Sequence, residues 1–75
     1  MTLRTDIPFV ELLATGFQEF DHGGIIEQSI PTYYRMREGD GFHWSCGSNL
    51  QGIAEVIGCT EPRGGYVACT IRKVN

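Results

Sequence analysis

Apolar positions between residues 8 and 21 recur with the period of an α-helix. Pro8 suits the first helical turn, where its missing amide hydrogen would have no partner anyway. Gly23-Gly24 can end the helix, and Gly16 can interrupt it. The pattern predicts a first helix over about Pro8–Asp21. Its apolar positions fall at i, i+3, i+4, i+7, i+8 and i+11: Phe9, Leu12, Leu13, Gly16, Phe17 and Phe20.

A second segment carries a helical period together with signals for both helix ends. Ser48 and Gln51 have the spacing of a capping box, in which two residues satisfy each other's unpaired backbone amides. Gly58 offers the stop, and the pattern predicts a helix over about 48–57. In an alternative, Gly52–Thr60 is a strand that pairs with Tyr66–Val74 in a small all-β barrel, because Ile, Val and Gly also suit strands. The helical interpretation depends on apolar residues at i, i+3, i+4 and i+7: Leu50, Ile53, Ala54 and Ile57.

The other segments alternate with the period of β-strands. Ile25–Ile30 is the first, and Pro31 places a bend or an edge position at its end. Thr32–Arg37 and Phe42–Cys46 flank a glycine-containing connection of hairpin length, and Tyr66–Val74 forms a last strand. We therefore predict one α+β domain over residues 1–75. It is a small two-layer domain of order α-β-β-β-α-β, an antiparallel sheet with two helices on one face.

Alternation along these strands separates a core face from an outward face. The side chains expected to point inward are Tyr34, Met36, Phe42, Trp44, Cys46, Val67, Cys69 and Ile71. Tyr and Arg dominate the energetics of protein interfaces, and arginine over an aromatic ring gains further attraction. A plainer interpretation is that cross-strand Tyr–Arg pairs only stabilise an exposed sheet. The partner-binding surface predicted on the outward face consists of Tyr33, Arg35, Arg37, His43, Tyr66 and Arg72.

Composition narrows the class of protein. A chain of 75 residues buries roughly 60% of its unfolded surface, so its core is thin and a homodimer would help it. A net charge of −3 argues against general binding of polyanions. No long apolar run or signal peptide is evident, so we expect no membrane segment and a cytoplasmic protein. The cysteines Cys46, Cys59 and Cys69 form no familiar disulfide framework, which favours reduced thiols.

Candidate chemistry centres on Cys46. This residue would directly precede the second helix, whose dipole could stabilise a thiolate, and His43 is three residues away. Residues i and i+3 of a strand point to opposite faces, however, so we interpret Cys46 as an inert small residue of the core. A zinc site from His43, Cys46, Cys59 and Cys69 would lack the paired spacing of known zinc motifs. With no phosphate-binding loop and no acid–base couple, we predict no catalytic residues, no metal and no cofactor.

These observations predict a small non-catalytic binding module of the adaptor or inhibitor type. It would be a homodimer and would dock a protein partner through the Tyr/Arg/His face. One alternative is a single-stranded nucleic-acid-binding protein, in which bases stack on Tyr33 and Tyr66 while the arginines meet phosphates. Another is a thiol enzyme or redox sensor centred on Cys46.

Overall fold

The fold is built on an antiparallel meander in the C-terminal half of the chain. The computed structural model describes residues 1–75. Its strands β4 (Asp40–Cys46), β5 (Leu50–Cys59) and β6 (Tyr66–Lys73) pair with one another in chain order. Strand β3 (Ile25–Pro31) adds antiparallel to β6 and forms one edge of the sheet.

Two short N-terminal strands complete the other edge. Strands β1 (Thr2–Leu3) and β2 (Val10–Glu11) both pair in parallel with β4, so the sheet runs β1-β4-β5-β6-β3 with β2 also beside β4. Helix α1 (Phe17–Asp21) and a 3₁₀ turn (Thr32–Tyr34) are the helical elements. Neither is long enough or apolar enough to cross a membrane.

A single apolar core lies on one face of this sheet. Phe20 brings α1 onto the sheet, and its ring meets the ring of Trp44 edge-on at a centroid distance of 5.4 Å. Phe17 contacts the same indole, also at 5.4 Å, and lies next to Phe20 with their ring centroids 6.0 Å apart. The Trp44 Nε1 group is buried without a hydrogen-bond partner, so the indole contributes through packing. The core consists of Val10, Leu12, Phe20, Ile30, Met36, Phe42, Trp44, Cys46, Ala54, Val56, Val67, Cys69 and Ile71.

The predicted first helix over Pro8–Asp21 is wrong in its first half. Val10 and Leu12 are buried while the residues beside them are exposed, which is the period of a strand. Gly16 then has a φ of +150°, which other residues rarely adopt, and α1 begins directly after it. The glycine therefore separates a strand-like segment from a short helix.

The predicted helix over 48–57 is wrong as well, because these residues form β5. The apolar residues of this segment fit a period of two as well as a helical period, since Ala54 and Val56 share the core face. The segment forms a strand and not a helix because its backbone pairs with β4 on one side and with β6 on the other. The two-helix α+β order is thus replaced by a mostly β fold with one short helix. The alternative pairing of Gly52–Thr60 with Tyr66–Val74 is confirmed, although the sheet is open and not a barrel.

The predicted strand Thr32–Arg37 is a connection between β3 and β4. Pro31 ends β3, a 3₁₀ turn follows, and Arg35 adopts a left-handed φ of 54°. Met36 on this connection is buried in the core, as predicted. The strands predicted at Ile25–Ile30, Phe42–Cys46 and Tyr66–Val74 are confirmed within a few residues, and so are the buried positions of Phe42, Trp44, Cys46, Val67, Cys69 and Ile71.

Gly52→Ala distinguishes the strand from the helix. A Cβ at Gly52 would overlap the backbone carbonyl of Asn75 and come within 2.9 Å of Cζ2 of Trp44. We expect the variant to lose about 1–3 kcal/mol of unfolding free energy in urea titrations through overpacking. If the segment were a helix, the same change would raise the unfolding free energy by roughly 1 kcal/mol. Gly58→Ala is the control, because its added Cβ meets nothing within 4 Å, and its unfolding free energy should change by about 0.5 kcal/mol or less.

Candidate functional site

The sheet face opposite the core carries no helix. We call it the open face and define it by the outward side chains of β3 to β6, together with the neighbouring Phe9 and Val74. Four of its apolar side chains keep much of their surface in solvent: Ile25 at 52%, Phe9 at 50%, Val74 at 45% and Ile57 at 37% exposure. Exposed apolar side chains that share one sheet face are a feature of surfaces that meet another molecule.

The centre of the open face combines apolar side chains with a neutralised ion pair. His43 lies opposite Ile53 across β4 and β5, and its ring stacks on Phe9 at a centroid distance of 4.9 Å. Arg72 lies opposite Glu55 on β5 and donates a hydrogen bond to its carboxylate. Because this ion pair neutralises the arginine, the face offers no free cation at its centre.

The structure divides the six predicted partner-binding residues into two groups. His43, Tyr66 and Arg72 lie on the open face, as the alternation of β4 and β6 predicts. The others lie outside the sheet, on the connection between β3 and β4 beside the core. Strand alternation does not apply to that connection, because it turns at Pro31 and again at the left-handed residue 35. The three exposed residues placed there are Tyr33, Arg35 and Arg37.

Arg4, which the sequence did not single out, anchors that connection. It donates hydrogen bonds to the backbone carbonyls of Tyr34 at 2.7 Å and Arg35 at 3.3 Å. It also donates to the carboxylates of Asp6 at 2.8 and 2.9 Å and of Asp40 at 3.3 Å. The Arg4 hydrogen bonds hold the pKa of Asp6 at about 2, and the same pair raises the pKa of Arg4. Only the Arg-x-Asp spacing was visible in the sequence, since the other partners are 30 or more residues away.

An open groove of about 630 Å³ lies where β5 turns into β6. Gly64-Gly65 form a two-residue turn, across which Arg63 and Tyr66 exchange backbone hydrogen bonds of 2.7 and 3.1 Å. Two carboxylates and one guanidinium line the groove, so it presents no uniform positive charge to a chain of phosphates. Its lining residues are Glu27, Ser29, Thr60, Glu61, Pro62, Arg63, Tyr66 and Ala68.

His43 and Cys46 do not come together. Both lie on β4, but Cys46 faces the core and His43 faces the open side. A turn and then β5 follow Cys46, so the helix dipole expected to act on its thiol is not there. The structure holds no group of three or more His, Cys, Asp or Glu side chains arranged to bind a metal ion.

Cys59 and Cys69 do come together, which the sequence analysis missed. They lie directly opposite each other on β5 and β6, with their Sγ atoms 3.0 Å apart. The helix predicted over 48–57 hid this contact, because it removed the strand that presents Cys59. The alternative strand pairing contained the signal, since a hairpin that joins 52–60 to 66–74 brings its two cysteines to the same end.

No relative guides the assignment of function. The chain matches no protein-family model, no curated protein and no solved structure. The open face, the groove and the cysteine pair are therefore interpreted from their own chemistry.

The Arg4–Asp6 pair predicts a specific response to acid. Because folded Asp6 has a pKa of about 2 against an ordinary 3.8, the pair stabilises the fold above about pH 4. That stabilisation is lost as the pH falls from about 4 toward 2. Asp6→Asn removes this titration, so its unfolding free energy should fall less steeply than that of the parent across this range.

Urea unfolding followed by Trp44 fluorescence at a series of pH values measures the two slopes. Glu61→Gln is the matched control, because it removes a carboxylate that takes part in no ion pair of the structure. It should keep the slope of the parent. Identical slopes for Asp6→Asn and the parent would show that the pair does not contribute.

Proposed function

We propose that this protein is a small non-catalytic protein-binding module whose open face packs against the open face of a second copy. The observation that carries the proposal is the uncovered apolar area of that face, with Ile25 and Phe9 half exposed and Val74 nearly so. A second copy of the chain is a partner that is present wherever the protein itself is present. Face-to-face packing would cover these side chains between two layers of sheet.

The size of the molecule supports this arrangement. Only 14 of the 75 residues are buried, so the isolated domain covers little of its own apolar surface. A standard interface takes about 800 Å² from each partner. That area is about one sixth of the 4844 Å² of total surface, which is the share that one side of a compact molecule has.

The charges of the open face support a protein partner over a nucleic acid. Arg72 is neutralised by Glu55 within one copy, so its charge does not enter the interface unpaired. Glu27, which takes part in no ion pair, lies on the edge strand β3 and not at the centre of the face. A two-fold axis would place the same patch on both sides of the interface. A nucleic acid would instead meet a balanced centre, and Glu27 and Glu61 in the adjoining groove would repel its phosphates.

Pairing through the open faces would leave the connection between β3 and β4 on the outside of the dimer. Tyr33 on this connection is 76% exposed, and Arg35 and Arg37 are exposed beside it. Tyrosine and arginine are common anchors of protein interfaces. A dimer of this kind would present the three residues twice, as an adaptor or an inhibitor of another protein does.

Sedimentation equilibrium tests the proposed self-association. We expect a dimer for the parent and a monomer for the double variant Ile25→Lys/Ile57→Lys, because each copy would bring two unpaired cations into the interface. Tyr33→Lys is the matched control, since it places a cation at an exposed aromatic position outside the open face. It should remain a dimer. Melting curves of all three proteins should coincide when measured at concentrations where the parent is monomeric.

Three outcomes would overturn the proposal. A parent that stays monomeric at every accessible concentration rules out the second copy as occupant. A double variant that folds and still dimerises moves the interface away from the open face. Nucleic acid that co-purifies with the protein, is removed by nuclease and loses affinity steeply as the salt concentration rises would support the single-stranded nucleic-acid-binding alternative instead.

A further inference from the structure

We propose that Cys59 and Cys69 form a reversible intramolecular disulfide by exchange with a low-molecular-weight disulfide. The two residues join β5 and β6 at the end of the hairpin, on the core side of the sheet. This inference is independent of the open face, because neither cysteine lies on it.

The backbone places the two sulfurs close to bonding distance. Thr60 donates its backbone N–H to the carbonyl of Ala68 at 3.0 Å, so the adjacent pair 59–69 is a non-hydrogen-bonded pair. Pairs of this type have the shorter Cα separation in antiparallel sheets, and their side chains are closer. The Sγ atoms are 3.0 Å apart and a disulfide bond is about 2.05 Å long, so closure needs a shift of about 1 Å.

A β-bulge in β5 creates this pairing. As far as Val56, which pairs with Ile71, the even-numbered residues of β5 face the core. The register shifts between Val56 and Gly58. An unbroken register would have placed Cys59 opposite Ala68 on the open face, whereas the shift places it opposite Cys69 on the core face. The extra residue therefore turns Cys59 toward the only cysteine that it can reach.

Exposure assigns a different role to each thiol. Cys59 is exposed at the rim of the sheet, where a dissolved reagent can meet it. Cys69 is fully buried, and burial followed by the hydrogen bond with Cys59 raises its pKa to about 12. Cys59 is thus the attacking thiol and Cys69 the resolving thiol.

The exchange balances in two steps. The Cys59 thiolate attacks one sulfur of the external disulfide, forms a mixed disulfide and expels one small thiolate. Cys69 then loses its proton and attacks Sγ of Cys59, which forms the intramolecular bond and expels the second small thiolate. The two cysteines are oxidised, the external disulfide is reduced to two thiols, and the protons from the cysteines neutralise the two thiolates.

The bond would fasten the β5–β6 hairpin near its turn. It constrains the unfolded chain and not the folded sheet, so the oxidised protein should melt at a higher temperature than the reduced one, by roughly 10 °C. The turn that carries Arg63 and Tyr66 lies inside the closed loop. Oxidation would therefore also restrict the wall of the groove.

Glutathione disulfide added to the folded, reduced protein at mildly alkaline pH tests the proposal. Mass spectrometry after an acid quench should show the loss of two hydrogens, and peptide mapping should find Cys59 joined to Cys69. Cys46→Ser should behave in the same way, because Cys46 takes no part. Cys69→Ala should stop at a single glutathione on Cys59, since the resolving thiol is gone. Closure should accelerate with rising pH, because Cys69 must lose its proton.

Because Cys69→Ala removes core atoms, Cys59→Ser at the exposed position provides a second test. It should fold with the melting temperature of the reduced parent and take up no glutathione. A stable glutathione adduct on Cys59 in the Cys46→Ser variant would overturn the proposal. So would a parent disulfide that involves Cys46, or a Cys59–Cys69 bond that forms only after denaturation.

Discussion

The edge-on contact between Phe20 and Trp44 is the interaction on which the rest of the structure depends. Helix α1 is only five residues long, and Phe20 is its one fully buried side chain. A helix this short has no stability of its own and persists because its aromatic residues pack on the sheet. Lys73 extends the attachment by an ion pair with Asp21 at the end of α1. Without this contact the sheet face around Trp44 would lose the cover that α1 provides, and the segments that carry Leu12 and Met36 would be left to cover the core alone.

The open face exists because the chain has few helical residues with which to cover the sheet. A single five-residue helix and one connection can shield one face of a sheet in which β4, β5 and β6 are seven to ten residues long. Neither of these helical elements covers the other face. Apolar residues on that face therefore stay exposed to solvent beside the Arg72–Glu55 ion pair. Because this pair is neutral, it does not repel a second copy of the same face. The exposed face and the thin core are two aspects of one architecture.

Sequence reasoning succeeded where a segment fits one period and failed where it fits two. Strands β4 and β6 alternate without ambiguity, so their core residues and the outward positions of His43 and Arg72 were predictable. The segment 50–59 satisfies helical spacing, strand spacing and a capping box, and only its pairing with β4 and β6 decides. Arg4 and the Cys59–Cys69 contact depend on partners brought together by that pairing, so local pattern could not reveal them.

The parallel pairing of β1 and β2 with β4 has a consequence for the order of assembly. During translation the first strands emerge without a partner, and β4 follows only some thirty residues later. The turns that join β4 to β5 and β5 to β6 are short, so the meander can close locally as soon as it leaves the ribosome. The N-terminal segment must wait and then add to a finished edge. We therefore expect β1 and β2 to join the sheet after the strands that follow them in the chain, and until then the edge of β4 is open to pairing with any extended chain nearby.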